Sequence, residues 1–221
     1  LDDKYILKIF ETASKQEIQN ELKLILSCKD LKVSKVIGKI FTIQDKYALI
    51  YEKAKGESIK KVSKNDIFEI GIFLKKFHKI TKDKTSTNSQ LFLKDELYKL
   101  IEKTNHKPFF EQFSKLNIEL KNDGIIHGDL FPDNATFFDK KLSCVFDFIQ
   151  SCNGDFLFDL AVIALSWCNT KEEIIYLLES YQTDTTYECF LPYLKYAGLY
   201  YCVTRFLEKK DFSDLWNKIT F

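Results

Sequence analysis

The sequence contains no methionine, not even at position 1. It is therefore read either as beginning downstream of a true N-terminus or as lacking its Met residues, and the spacings used below assume unbroken motifs. No apolar run approaches the roughly 18 residues of a membrane-spanning helix, and no basic-then-apolar leader opens the chain. Membrane insertion and secretion are not expected; a cytoplasmic protein is. An excess of charge of one sign is also missing. The 33 Lys and Arg stand against 32 Asp and Glu, net +1, which argues against a dedicated nucleic-acid binder and for a small-molecule partner. With three His, none at ligand spacing from another His or a Cys, structural zinc has little to be built from. The six cysteines (Cys28, Cys144, Cys152, Cys168, Cys189, Cys202) form no C-x-x-C pair and lie in apolar or helical-looking stretches, as reduced thiols packed like small hydrophobes do. No G-x-G-x-x-G or Walker sequence occurs, so P-loop and dinucleotide enzymes have no support. What is present is globular in make-up: 221 residues, 45% hydrophobic and 29% charged.

Along the chain, Tyr5 to Phe10 alternates as a strand, with Tyr5, Leu7 and Ile9 on one face and Lys8 on the other. From about Lys15 to Cys28 the apolar positions Ile18, Leu22, Ile25 and Leu26 predict an amphipathic helix with Glu17 and Glu21 off the stripe. Two strands, Val36 to Ile43 and Tyr47 to Tyr51, follow around a polar Gln44-Asp45-Lys46 connection in hairpin fashion. After Glu52 the pattern becomes mostly helical, which places a boundary between a small β-rich lobe, 1–52, and a larger helical lobe, 53–221. Helices are predicted from about Asn65 to Ile80, Leu91 to Thr104 and Pro108 to Lys121, then a compact β region from Gly124 to Phe148 and four closing helices. The Lys-rich polar faces read as solvated surface.

The stretch that carries chemistry is Ile125-Ile-His-Gly-Asp-Leu-Phe-Pro-Asp-Asn134, followed by a strand from Ala135 to Phe138 and a second ending in Val145-Phe-Asp147-Phe. This frame can gather Asp129, Asn134 and Asp147 around one point. Transfer of a γ-phosphoryl group requires that phosphates be held, their charge neutralised by Mg²⁺, and an acceptor hydroxyl oriented in line. Asn134 and Asp147 offer the oxygen ligands a hard Mg²⁺ prefers, and Asp129 would accept the hydroxyl proton. His-x-Asp-x-x-x-x-Asn with a later Asp-Phe corresponds in outline to the protein-kinase catalytic loop and metal-binding Asp, without the Arg after His or the Gly after Asp-Phe. The expected fold is therefore α+β and protein kinase-like, on its small-molecule branch. His127 is read as a brace for the loop rather than an acid or base, since the pattern already supplies a base. Lys8 on its strand is the candidate to reach the phosphates, with Glu21, or Glu17 as rival, as its partner; the alternative for both Lys8 and Glu21 is surface charge. Tyr51-Glu52 would lie where an adenine meets hinge backbone. Two strands and a phosphate-covering turn precede the Lys strand in that template, and only four residues precede Tyr5, so the small lobe is expected to be incomplete at its start.

Ile126 to Asn134, Asp147-Phe-Ile-Gln-Ser-Cys-Asn-Gly-Asp-Phe-Leu-Phe-Asp159-Leu-Ala and Ser166-Trp-Cys168 resemble the homoserine kinases of the aminoglycoside-phosphotransferase-like superfamily. Tyr5 to Glu11, Ala48 to Glu52, Leu177 to Gln182 and Ala197 to Phe206 also look like that family's segments, in the same order. The resemblance implies phosphorylation of the L-homoserine hydroxyl by MgATP in threonine biosynthesis, with Asp129 as base and Asn134 and Asp147 on magnesium. Two departures stand out: the Lys8 position often carries Thr in that family, and Ile149-Gln150 replaces an aromatic and a small residue. Asp159 resembles a position that buttresses the catalytic loop; the alternative is an ordinary Asp at a helix N-terminus.

Of the 33 basic residues only Arg205 is Arg, and it lies in an apolar helical stretch. A guanidinium binds a carboxylate through two parallel hydrogen bonds, so Arg205 is a candidate for the α-carboxylate of an amino-acid substrate. Its alternative is a buried ion pair with an Asp such as Asp159. Rival acceptors are choline or another amino alcohol, for which the aromatics could build a cage, and an aminoglycoside. A different class is a noncatalytic nucleotide-binding relative, against which the retained Asp129, Asn134 and Asp147 argue.

Overall fold

The computed structural model describes residues 3–220. Strand β1 (Tyr5–Ile9) pairs antiparallel with β3 (Lys46–Glu52), and β3 with β2 (Val36–Ile43), giving a sheet of order β1-β3-β2. The β2–β3 connection turns at Gln44 and Asp45, both at positive φ (48° and 62°), the twist that lets a two-residue hairpin match its strands. Lys8 lies opposite Leu49 in the register, so Lys8, Phe10, Leu49 and Tyr51 share the inner face. Leu49, Phe10 and Tyr51 are buried there, while Tyr5 and Ile9 on the other face are exposed.

Helix α1 (Lys15–Ser27) packs against that inner face. Ser14 and Glu17 form a reciprocal capping box, which commits Glu17 to the helix start and removes it as a partner for Lys8. The buried stripe is Ile18, Glu21, Leu24 and Ile25, whereas Leu26 is 70% exposed. Hydrophobic periodicity alone places Glu21 off the stripe; the helix is instead rotated so that this carboxylate sits in the middle of it, at 1% exposure.

The remainder is mainly helical: α2 (Lys64–Thr81), α3 (Lys94–Thr104), α4 (Lys107–Ser114), α5 (Phe156–Trp167), α6 (Lys171–Tyr181), α7 (Tyr187–Leu207) and α8 (Ser213–Ile219). The predicted Pro108-to-Lys121 helix ends at Ser114, because Leu116, Ile118 and Leu120 then alternate and cannot share a helical face. The β region contains β4 (Gly124–Ile126), a 3-10 turn at Pro132–Asn134, and the hairpin of β5 (Ala135–Phe138) with β6 (Lys141–Val145). A strand the sequence reading missed, β7 (Cys152–Gly154), pairs with β4. Three residues carry too little periodicity to be seen. Helix α5 is apolar on every side, with Phe158 to Leu165 buried around a single charge, Asp159. The α1–β2 connection is tied to the β6 end, where Val145 N–H donates to Lys32 O (2.7 Å) and Ser34 N–H to Val145 O (3.2 Å). Five cysteines are buried, Cys189 is exposed, and all six are free. Among the described residues no helix is long and apolar enough to cross a membrane.

Candidate active site

The loop after β4 is held from behind by one carboxylate. Asp159, fully buried in the first turn of α5, accepts the His127 N–H at Oδ2 (2.8 Å) and the Gly128 N–H at Oδ1 (2.8 Å). His78 of α2 donates from Nε2 to the same Oδ2 (2.9 Å), and its Nδ1 lies 2.7 Å from the Tyr181 hydroxyl. Burial alone would raise the Asp159 carboxyl; the hydrogen bond and charge of His78, together with the Gly128 N–H, outweigh it and hold Asp159 below the usual range. The helix cap proper is Asp155, which accepts from Leu157 N–H (2.7 Å), so Asp159 is not serving as one.

His127 has both ring nitrogens committed. Nδ1 accepts from the Asp129 N–H (3.2 Å) and Nε2 faces the Phe146 carbonyl (3.2 Å), while burial pushes its pKa down. The ring is thus neutral with its proton on Nε2, and it spans the two strands' loops. Gly128 stands at φ +81°, where a Cβ would come within 2.5 Å of the Phe92 ring. Tyr201 of α7 donates to the Gly128 carbonyl, and Trp167 Nε1 to the Leu130 carbonyl (2.9 Å).

In front of this scaffold, the Asn134 amide nitrogen donates to the Asp129 carbonyl oxygen (2.7 Å) and to its Oδ2 (3.1 Å), and the Phe146 N–H donates to Asn134 O (3.1 Å). Asp129, Asn134 and the residue before Asp147 are therefore coupled directly. Asp147 adopts a left-handed backbone, φ 65°, a conformation that Asp tolerates better than most residues. Its Oδ1 receives Lys8 Nζ at 2.8 Å; the same ammonium reaches Glu21 Oε1 at 3.4 Å. Glu21 Oε1 also accepts the Phe148 N–H (3.1 Å). Burial, then the Asp147 and Asp133 charges, push the Asp129 carboxyl up to about 7, the Asn134 hydrogen bond opposing them. Burial likewise raises Glu21, with Lys8 opposing.

Two candidate residues stand apart. Glu52 ends β3 with its side chain on exposed Lys35 (3.5 Å) and its N–H on Lys35 O (2.8 Å), so the carboxylate faces away from the cluster. Arg205 does not pair with Asp159. Its Nη1 bonds Asp214 Oδ1 (2.9 Å), because Asp159 is enclosed by His78 and the loop amides, and the guanidinium lies 5.9 Å from the ring centre of Phe131, two residues past Asp129. His78, Tyr201 and Trp167 are residues around the candidate site that sequence reasoning missed. The one signal was a His directly after a core Phe on α2. A cavity of about 550 Å³ lies between α1 and residues 83–88, away from Asp129 and touching the cluster at Glu21 and Phe148. Among the described residues no group of three or more His, Cys, Asp or Glu is placed to hold a metal. A site of one Asp and one Asn completed by phosphate oxygens does not need such a group.

A small antiparallel sheet with one packed helix, set against a helical body that carries a His-x-Asp loop, is the architecture of the kinase-like phosphotransferases. Solved structures bear out the fold. The choline kinase LicA of Streptococcus pneumoniae superposes with TM-score 0.66 at 21% identity, over 99% of this chain and 84% of that one. The GDP complex of a mutant aminoglycoside 2'-phosphotransferase gives TM-score 0.67 at 14% identity, over 98% and 83%. The model of the APH phosphotransferase enzyme family matches residues 1–193, and the chain belongs to that family. A homoserine kinase of Azorhizobium caulinodans is 53% identical over 45 residues, which are 20% of this chain and 14% of the relative's length.

Proposed function

We propose that the protein transfers the γ-phosphoryl group of ATP to the hydroxyl of a small amino-acid alcohol, with L-homoserine as the acceptor and O-phospho-L-homoserine and ADP as products. The observation that carries this reading is the coupling of Asp129, Asn134, Asp147 and Lys8 in one cluster. Asp129 accepts the acceptor's proton as its oxygen attacks phosphorus and the bond to the ADP oxygen breaks. A carboxyl near 7 is half-ionised at neutral pH, the range in which a base is both available and effective. The Asn134 amide nitrogen is spent on Asp129, so Asn134 Oδ1 and the Asp147 carboxylate are the oxygens that would hold a cation. This hard-oxygen pair fits Mg²⁺, which supplies charge neutralisation for the phosphates when bound. Lys8, already poised on Asp147 and Glu21, holds phosphate oxygens; Glu52 backbone meets the adenine; Asp159 and His127 fix the loop. Residues 1–52 then act as the nucleotide-covering part and 53–221 as the part bearing the loop and acceptor site.

The homoserine kinase similarity supports an acceptor with a carboxylate, which Arg205 would bind in exchange for its contact with Asp214. Coupled ADP release with homoserine, choline and kanamycin, each with and without Mg²⁺, tests the reading. Mg²⁺-dependent turnover of homoserine is expected. Turnover of choline or kanamycin instead would move the acceptor assignment, and nucleotide binding without turnover of any alcohol would leave a noncatalytic relative.

A further inference from the structure

Two buried polar side-chain atoms beside the candidate site have no hydrogen-bond partner: Glu21 Oε2 and the Tyr51 hydroxyl. They come from different elements, α1 and β3, and meet on the inner face of the sheet, where Tyr51 lies diagonally across from Lys8. The phenol faces the Glu21 carboxylate, whose charge, after burial itself, favours the protonated phenol. An orphaned buried acceptor and an orphaned buried donor each carry an unrecovered desolvation cost, and a small rotation of Tyr51 would satisfy both. The other oxygen of Glu21 is already shared between the Phe148 N–H at 3.1 Å and Lys8 at 3.4 Å, a long contact beside the 2.8 Å that Lys8 makes to Asp147. Lys8 alone therefore holds Glu21 weakly, and holds it less once its ammonium turns toward a phosphate.

We propose that Tyr51 is a positioning residue: its hydroxyl donates to Glu21 Oε2 when nucleotide draws Lys8 away from Asp147, so that Glu21 stays in place and keeps Lys8 aimed at the phosphates. The assignment rests on the reading of Lys8 as the phosphate-binding cation. No proton is transferred and no bond to substrate is made; the phenol acts only through Glu21.

Tyr51→Phe keeps the ring and removes the hydroxyl, so the β3 packing is retained. The expected result is a rise of about five-fold or more in nucleotide KM and in the calorimetric Kd for ATP with Mg²⁺, with kcat and acceptor KM within two-fold of wild type. In a Glu21→Gln background the same substitution should change nucleotide affinity less than two-fold, since the partner is already altered. Unchanged affinity in Tyr51→Phe, or an equal loss in both backgrounds, overturns the assignment while leaving the functional reading intact. A wild-type protein that binds no nucleotide overturns both.

Discussion

Asp129→Asn is expected to abolish turnover and, at the same time, to stabilise the protein in a pH-dependent way. The native carboxyl is pushed from its ordinary 3.8 to about 7, chiefly by burial and then by the charges of Asp147 and Asp133. A carboxyl that holds its proton more tightly folded than unfolded makes its full contribution to stability below about pH 4, and stability falls as pH rises toward 7. Each pH unit in that window is worth about 1.4 kcal/mol, which sets a ceiling of roughly 4 kcal/mol at pH 8. Asp129 is half-buried and screened by water, so about 1–2 kcal/mol is the figure to expect. The amide is neutral at every pH, and its oxygen can still accept from Asn134. Urea unfolding of both proteins at pH 8, 6.5 and 5 should therefore show the variant ahead at pH 8, with the gap narrowing as pH falls. Turnover should drop by roughly 10²–10⁴-fold, the range for removing a general base. A variant less stable than wild type at pH 8, or a gap that does not change with pH, would refute the electrostatic account of Asp129.

Three further substitutions test other parts of the scaffold. Asp159→Asn replaces a buried carboxylate that accepts from His78, His127 and Gly128, and should cost about 3 kcal/mol or more in denaturant unfolding; a loss below 1 kcal/mol would show that the loop stands without it. Arg205→Lys should raise the homoserine KM at least ten-fold with kcat retained, and should move the melting temperature little, because the Asp214 pair is partly exposed; a stability loss with unchanged KM would assign Arg205 a structural role. Gly128→Ala places a methyl 2.5 Å from the Phe92 ring at a positive φ and should destabilise by about 1–3 kcal/mol, with a smaller penalty when Phe92 is also Ala.

The Asp129–Asn134 loop was legible because its signature is local. Asp129 and Asn134 sit five apart on one turn, and hairpin geometry returns Asp147 to them without help from distant sequence. Lys8 was legible as an isolated cation on an alternating strand. Glu21 was harder: the apolar positions Leu22 and Leu26 pull the inferred stripe away from it, and only the tertiary demand for a counter-ion to Lys8 rotates α1. Arg205 does pair with an Asp, but with the partly exposed Asp214 rather than with Asp159. Asp159 is nearby in the apolar pattern, yet His78, 81 residues earlier, had already claimed it. His78 offered no local signature beyond its place after a core Phe, since it acts through a residue far along the chain.

The scaffold's reliance on a buried charge has a consequence for the site. Apolar packing fixes the distance between α5 and the Asp129–Asn134 loop but not the direction of the loop's N–H groups, because dispersion is non-directional. Asp159 supplies direction: its two oxygens take the successive N–H groups of His127 and Gly128, which sets the backbone from which Asp129 projects. His127 then spans to Phe146, next to Asp147, so both ends of the cluster refer to one anchor. An apolar replacement for Asp159 of similar volume would thus leave two loop N–H groups free to reorient, and would shift Asp129 relative to Asn134 even where the core stays filled. The cluster in front holds two carboxylates, Glu21 and Asp147, on a single ammonium, and Asp129 beside them is ionised only in part. That arrangement is short of positive charge, and a divalent cation arriving with the nucleotide would complete it.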